Sequence, residues 1–211
     1  MNNHDAVLRQ LVKKLARLNF GIVSNRTGVE FDTKTDSLKV RFLAEDYVIT
    51  KSGCTPLSCT ESDVRDRILI LNYLLSFGGP DTGDGWLNFR DLPNAEAYDT
   101  IFRANVESVL ERNVFDIVDC KELLMKKLDG HSAPGFQHAS FGAVFPVLPR
   151  VELMVLLCEG DEELDPEAKV CFSSRATNFF STEGLIAIAE ALARKMVKIS
   201  TEEAKARKKS A

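Results

Sequence analysis

Val144-Phe145-Pro146-Val147-Leu148-Pro149-Arg150-Val151-Glu152-Leu153-Met154-Val155-Leu156-Leu157-Cys158 is almost continuously apolar, and its reading decides the fold class. Residues 151–158 have the length and β-branched content of a buried strand. Pro146 and Pro149, which donate no backbone hydrogen bond, put a break before it. Gly160-Asp161-Glu162-Glu163 then reads as a turn, and Ala168-Lys169-Val170-Cys171-Phe172 as a shorter strand. Two strands joined by so short a loop predict an antiparallel pair.

Working outward, a second strand block lies far upstream. Val29-Glu30-Phe31-Asp32 and Leu38-Lys39-Val40-Arg41-Phe42 alternate apolar with polar residues, and Tyr47-Val48-Ile49-Thr50 follows. Residues 28–50 therefore predict a small antiparallel meander, with Lys51 to Ser58 as a loop. Helical spacing of apolar residues predicts five helices. The first runs from Ala6 to Leu18, with Gly21 as its stop. Another follows Thr60 and Asp63, a variant capping signature, carries Val64, Ile68, Leu71 and Leu75, and ends before Gly78-Gly79-Pro80. Two more cover 95–112 and about 116–128, and the last opens at Ser181-Thr182-Glu183. Strands and helices fall in blocks instead of alternating, so the expectation is a single α+β domain over 1–200 with a frayed basic tail at 201–211.

Composition excludes several classes. The chain has 211 residues, 45% of them apolar, and a formal net charge of −4. The one dense basic run is Lys205-Ala206-Arg207-Lys208-Lys209, which suits a helix C-terminus, so a nucleic-acid partner is not expected. No stretch of about 18 apolar residues exists to cross a membrane, and Met1 to Leu18 has no secretory core. The expectation is a cytoplasmic protein whose five cysteines (Cys54, Cys59, Cys120, Cys158 and Cys171) are reduced thiols.

No catalytic motif stands out: there is no Gly-x-Ser-x-Gly elbow, no phosphate loop and no dinucleotide fingerprint. Gly78-Gly79-Pro80-Asp81-Thr82-Gly83 follows a helix where a phosphate loop follows a strand, so it reads as a turn. Cys54 and Cys59 are spaced to share a metal, although a structural site needs four ligands. Of the histidines, His138 before Ser140 is the best placed to serve as a base. The acidic turn around Asp161 and Glu162 has carboxylates for a cation or for acid–base work, against the alternative of a solvated turn. Asp84, Trp86, Arg90 and Asp91 lie in the long segment before Pro93; Trp86 beside Arg90 is a platform for a flat or anionic ligand, or Trp86 plugs the core while Arg90 pairs with Asp91.

Three segments in this order, Leu71-Asn72-Tyr73-Leu74-Leu75, Gly85-Trp86-Leu87-Asn88-Phe89-Arg90-Asp91-Leu92-Pro93 and Leu148-Pro149-Arg150-Val151-Glu152-Leu153 with Gly160-Asp161-Glu162-Glu163, resemble the uncharacterised family catalogued as domain of unknown function 3786. The resemblance implies an origin in anaerobic bacteria or archaea and an association, for some members, with corrinoid or one-carbon metabolism. It implies no established activity, and the cysteine-rich iron–sulfur module of some members has no counterpart here. Three readings follow. The first is an accessory domain that binds a small cofactor of corrinoid or tetrapyrrole type, or a partner protein, through Asp84, Trp86, Arg90, Arg150, Asp161 and Glu162. The second is an enzyme using Asp161 and Glu162 with Asp84 and Arg90. The third is a metal protein through Cys54 and Cys59.

Overall fold

Two antiparallel sheets share one core in the computed structural model, which describes residues 3–58, 63–79, 83, 85–134 and 139–210. The chain opens with helices α1 (Asn3–Leu15) and α2 (Phe20–Thr27). The first sheet follows as a meander of β1 (Glu30–Asp32), β2 (Ser37–Phe42), β3 (Glu45–Thr50) and β4 (Gly53–Pro56) in sequential order. Helix α3 (Val64–Leu75) then leads to the short strand β5 (Trp86–Asn88). Helix α4 (99–111) is helical throughout but π-helical over Arg103–Glu107, where Ser108 N–H reaches back to Arg103 O. After α5 (Val114–Asp119) and α6 (Lys121–Lys127) come β6 (His131–Ser132), β7 (Phe141–Leu148), β8 (Val151–Cys158) and β9 (Glu167–Ser173). The second sheet is ordered β5-β9-β8-β7-β6, and α7 (Thr182–Ser210) closes the chain. This is a single α+β domain, as the block pattern predicts.

Alternation explains which face is inside. Val151, Leu153, Val155 and Leu157 of β8 and Ala168, Val170 and Phe172 of β9 are buried against the helices in the main core. The opposite face holds a separate small cluster of Val144, Met154, Leu156 and Cys171, with Trp86 packed on it. The core joins both sheets: Leu38, Val40, Phe42 and Ile49 of the first belong to the same buried cluster as Phe145 and Val147 of the second. Leu43 N–H donates to Val147 O across the junction at 3.1 Å.

Four elements depart from the sequence reading. Gly21 does not stop a helix; it lies inside α2, which Asn19 caps at its start and Gly28, at φ 73°, ends. The loop expected at 51–58 contains β4, paired with β3 from Tyr47↔Pro56 to Thr50↔Gly53. The proline break before 151 falls at Pro149 alone, in the turn Pro149–Arg150 between β7 and β8, and not at Pro146. β7 runs through Pro146, which pairs with Glu152, while β6 stops at Ala143–Val144 and leaves the Pro146 nitrogen with no strand to serve. Strand β5 forms in the segment expected to be irregular. Asp63 itself caps α3 by accepting from Arg65 N–H at 2.9 Å, and Thr60, the other half of the expected signature, lies outside the described residues. The basic run at 205–209 does not leave the helix, for α7 is helical to Ser210 and Arg207 also reaches Asp119 O. No helix among the described residues is long and apolar enough to cross a membrane.

Candidate functional site

The β7–β8 turn brings Arg150 to a seam between three elements. Tyr73, fully buried on α3, donates its hydroxyl to Thr27 O at the end of α2 and accepts from the Arg150 backbone N–H. Burial pushes the Tyr73 hydroxyl well above its ordinary range, so it stays a neutral donor. Gly28 gives the Arg150 side chain room to pass, since a Cβ there would lie 3.1 Å from its Nε. Arg150 Nη2 points at Asn25 O, a carbonyl of the last turn of α2, at 3.4 Å. Arg26 does the same for the neighbouring helix, donating to Leu74 O of α3 at 2.7 Å. Cations at helix C-termini are electrostatically favoured there.

Arg150 opens onto a cavity of about 220 Å³ shared with Glu152, Ser173, Arg175, Asn178 and Gly79. The strand register explains part of this set. Glu152 sits opposite Ser173, whose hydroxyl accepts its N–H, and Ser173 sits opposite Trp86 on the next strand. Arg175 and Asn178 come from the 3₁₀ turn Ser174–Asn178 that follows β9. Gly78 and Gly79 thread the chain between side chains: a Cβ on Gly79 would lie 2.4 Å from Asn178 Cγ, and one on Gly78 2.9 Å from Arg26 Cγ. Backbone therefore forms that wall because no side chain fits. Two guanidiniums, one carboxylate, an amide and a hydroxyl face a small volume, a donor-rich set that suits a carboxylate or phosphate.

The other residues singled out from the sequence are dispersed. Trp86 is half-buried on the outer sheet cluster, one strand from the Ser173 wall. Arg90 does not face it; at 82% exposure Arg90 pairs with Asp99 at 3.3 Å, while Asp91 accepts from Asn88 N–H. Arg90 lines a different cavity, of about 420 Å³, with Asp99, Arg103 and Glu107. Asp161 and Glu162 sit beyond the opposite end of β8 from Arg150, roughly 23 Å away along eight residues of strand. Both are exposed, and neither lines any of the five cavities described. Asp161 Oδ1 accepts from Glu163 and Leu164 N–H, which makes it the closure of its own turn. Gly160, at φ 75°, is demanded there because a Cβ would lie 2.3 Å from Leu164 O.

Cys54 is buried on β4, and desolvation pushes its thiol up to about 12. Among the described residues no group of three metal-ligating side chains exists. Asp84, Cys59 and His138 lie outside the described residues. Sequence reasoning missed Glu152, Arg175, Asn178 and Gly79. Glu152 was available from the strand alternation, being the polar residue on the outer face of β8. Arg175 and Asn178 follow a strand end with no periodicity, and nothing local marks them.

The architecture and its seam define the class: an α+β protein of two antiparallel sheets with a polar, arginine-lined cleft between the β7–β8 turn and the 3₁₀ turn that follows β9. The chain belongs to the family described as domain of unknown function 3786, whose pattern matches residues 19–195. That match includes every residue lining the cleft and leaves α1 outside. No curated protein and no solved structure matches the chain.

Proposed function

We propose that this domain binds a small anionic ligand, through a carboxylate or phosphate group, in the cleft between Arg150 and Arg175. The observation that carries the reading is the convergence of both guanidiniums with Asn178 and Ser173 on one cavity of about 220 Å³. Arginine forks complement planar or tetrahedral oxyanions. The cavity is smaller than the roughly 300–1,000 Å³ of pockets that enclose drug-sized ligands, so it takes an acid group and leaves the rest of the ligand outside. A corrinoid or tetrapyrrole meets that requirement only through its peripheral acid groups, with its ring lying beyond the mouth. Phe179 lines the cavity itself, and Trp86 sits opposite Ser173 on the neighbouring strand.

Thermal shift and calorimetry with inorganic phosphate, succinate, cobyrinic acid and haemin test the reading. Stabilisation by at least one of them is expected, with affinity lost in Arg150→Ala and in Arg175→Ala. Arg150→Ala keeps the backbone N–H that Tyr73 uses, so the fold survives the substitution. Absence of stabilisation by all four ligands, or binding indifferent to both substitutions, refutes the proposal.

A further inference from the structure

The largest cavity described, about 700 Å³, lies elsewhere, between α1, the β3–β4 turn and α3. Its floor is apolar, formed by Leu8 and Val12 of α1 and by Ala16 just after it. Its rim is cationic from three sides: Arg9 and Lys13 on α1 with Arg17 in the turn after it, Lys51 on the β3–β4 turn and Arg67 on α3. No carboxylate is among the described residues that line it, in a chain with more acidic than basic residues.

Arg9 and Lys13 lie four residues apart on α1, so they stand in one row about 6 Å apart along the helix, and Arg17 follows in the turn after its end, where Arg17 N–H donates to Lys14 O. Like charges so placed repel one another, and none of the described residues lining the groove opposite them is acidic. Lys51 is engaged already: its ammonium donates to Leu18 O at 2.7 Å and lies 3.6 Å from the Phe20 ring centroid. Lys13, Arg17 and Arg67 enter none of the ion pairs among the described residues. The Arg67 Nε is moreover buried without a hydrogen-bond partner. A buried donor without a partner is costly.

We infer that this groove is a second binding site, for an amphipathic polyanion of small-molecule size: an apolar body on the Leu8–Val12–Ala16 floor with two or more acid groups against the cationic rim. The volume falls within the range of small-molecule pockets. Helix α1 precedes the segment matched by the family pattern while Lys51 and Arg67 lie within it, and the groove shares no lining residue with the Arg150 cleft.

The test uses the full chain and a bis-anilinonaphthalene sulfonate dye, which carries two sulfonates on a large apolar frame, beside its single-sulfonate half and tripolyphosphate. The two-sulfonate dye should bind one to one, more tightly than its half, with tripolyphosphate displacing it and added salt weakening it. Lys13→Ala/Arg17→Ala, both at exposed positions, should weaken it by about tenfold or more. Lys126→Ala/Lys127→Ala, on the exposed face of α6, should leave it unchanged. Equal dye affinity in the two double variants overturns the inference. So does tight binding of a single-stranded RNA that the α1 variant loses while the dye fails to bind, for the groove would then serve another class of ligand.

Discussion

Tyr73→Phe isolates one oxygen at the seam that holds the candidate cleft. The ring stays, and with it the packing against Phe179 and Phe180, whose centroids lie 4.9 and 6.2 Å away. What disappears is a donor to Thr27 O and an acceptor for Arg150 N–H. Thr27 is fully buried, so its carbonyl cannot turn to water. The loss is then one net hydrogen bond, about 1 kcal/mol, plus about 1–2 kcal/mol for the stranded carbonyl. A total near 2–3 kcal/mol should lower Tm by roughly 4–12 °C in a chain of this size. Urea unfolding followed by circular dichroism gives the free energy, and an unchanged m-value shows that only stability moved. A loss below about 0.5 kcal/mol would mean that the hydroxyl is not the tie between α2, α3 and the β7–β8 turn, and the account of how Arg150 is positioned would fall with it.

Asp63 is held below the ordinary carboxylate range, first by the side-chain hydrogen bonds from Arg65, so its stabilisation is present above about pH 4 and is lost as pH falls through its folded value. Asp63→Asn keeps the cap and should show a shallower loss of Tm in acid. Gly160→Ala puts a Cβ 2.3 Å from Leu164 O at φ 75° and should cost about 2 kcal/mol or more, while phosphate binding at the other end of β8 is retained. Cys54, with its thiol near 12, should be about one part in ten thousand ionised at pH 8, so Ellman's reagent should label it only on denaturation. Glu107→Ala/Glu111→Ala uncovers two N–H groups on the edge of β9 and should raise light scattering on concentration; Glu107→Gln/Glu111→Gln, which keeps acceptors, should not.

The block arrangement of strands and helices was legible because apolar periodicity survives wherever one face of an element is buried. The paired strands 151–158 and 167–173 show this best. What escaped was decided between segments. β5 is three residues long and exists because β9 offers its edge to Trp86, Leu87 and Asn88. Pro146 reads as a breaker in isolation, yet it is harmless where no further strand needs its nitrogen. The cleft divides in the same way. Arg150 announces itself as a charge inside an apolar run, whereas Arg175 and Asn178 acquire meaning only when the turn after β9 folds back beside Gly79. Asp161 and Glu162 drew notice as an acidic cluster, and the fold uses Asp161 as a turn closure.

Perturbed carboxylates do not by themselves mark chemistry in this molecule. Burial is the first cause that raises Glu107, in the cavity that also holds Arg90. The reason for that burial is architectural. β5 pairs only with residues 171–173, so the upper part of β9 presents an open edge. Glu107 accepts from Val170 N–H and Glu111 from Ala168 N–H, standing where the carbonyls of a neighbouring strand would stand. Arg103 bridges the two carboxylates at 3.3 and 3.1 Å and neutralises part of their repulsion. Asp66, raised by burial too, is matched by Arg194 at 2.8 Å between α3 and α7. In both clusters the acids are partnered by the fold's own donors, which leaves little to recruit a ligand. The β7–β8 seam gathers two arginines about a glycine-walled gap, and it is on that combination that the proposal of an anionic ligand rests.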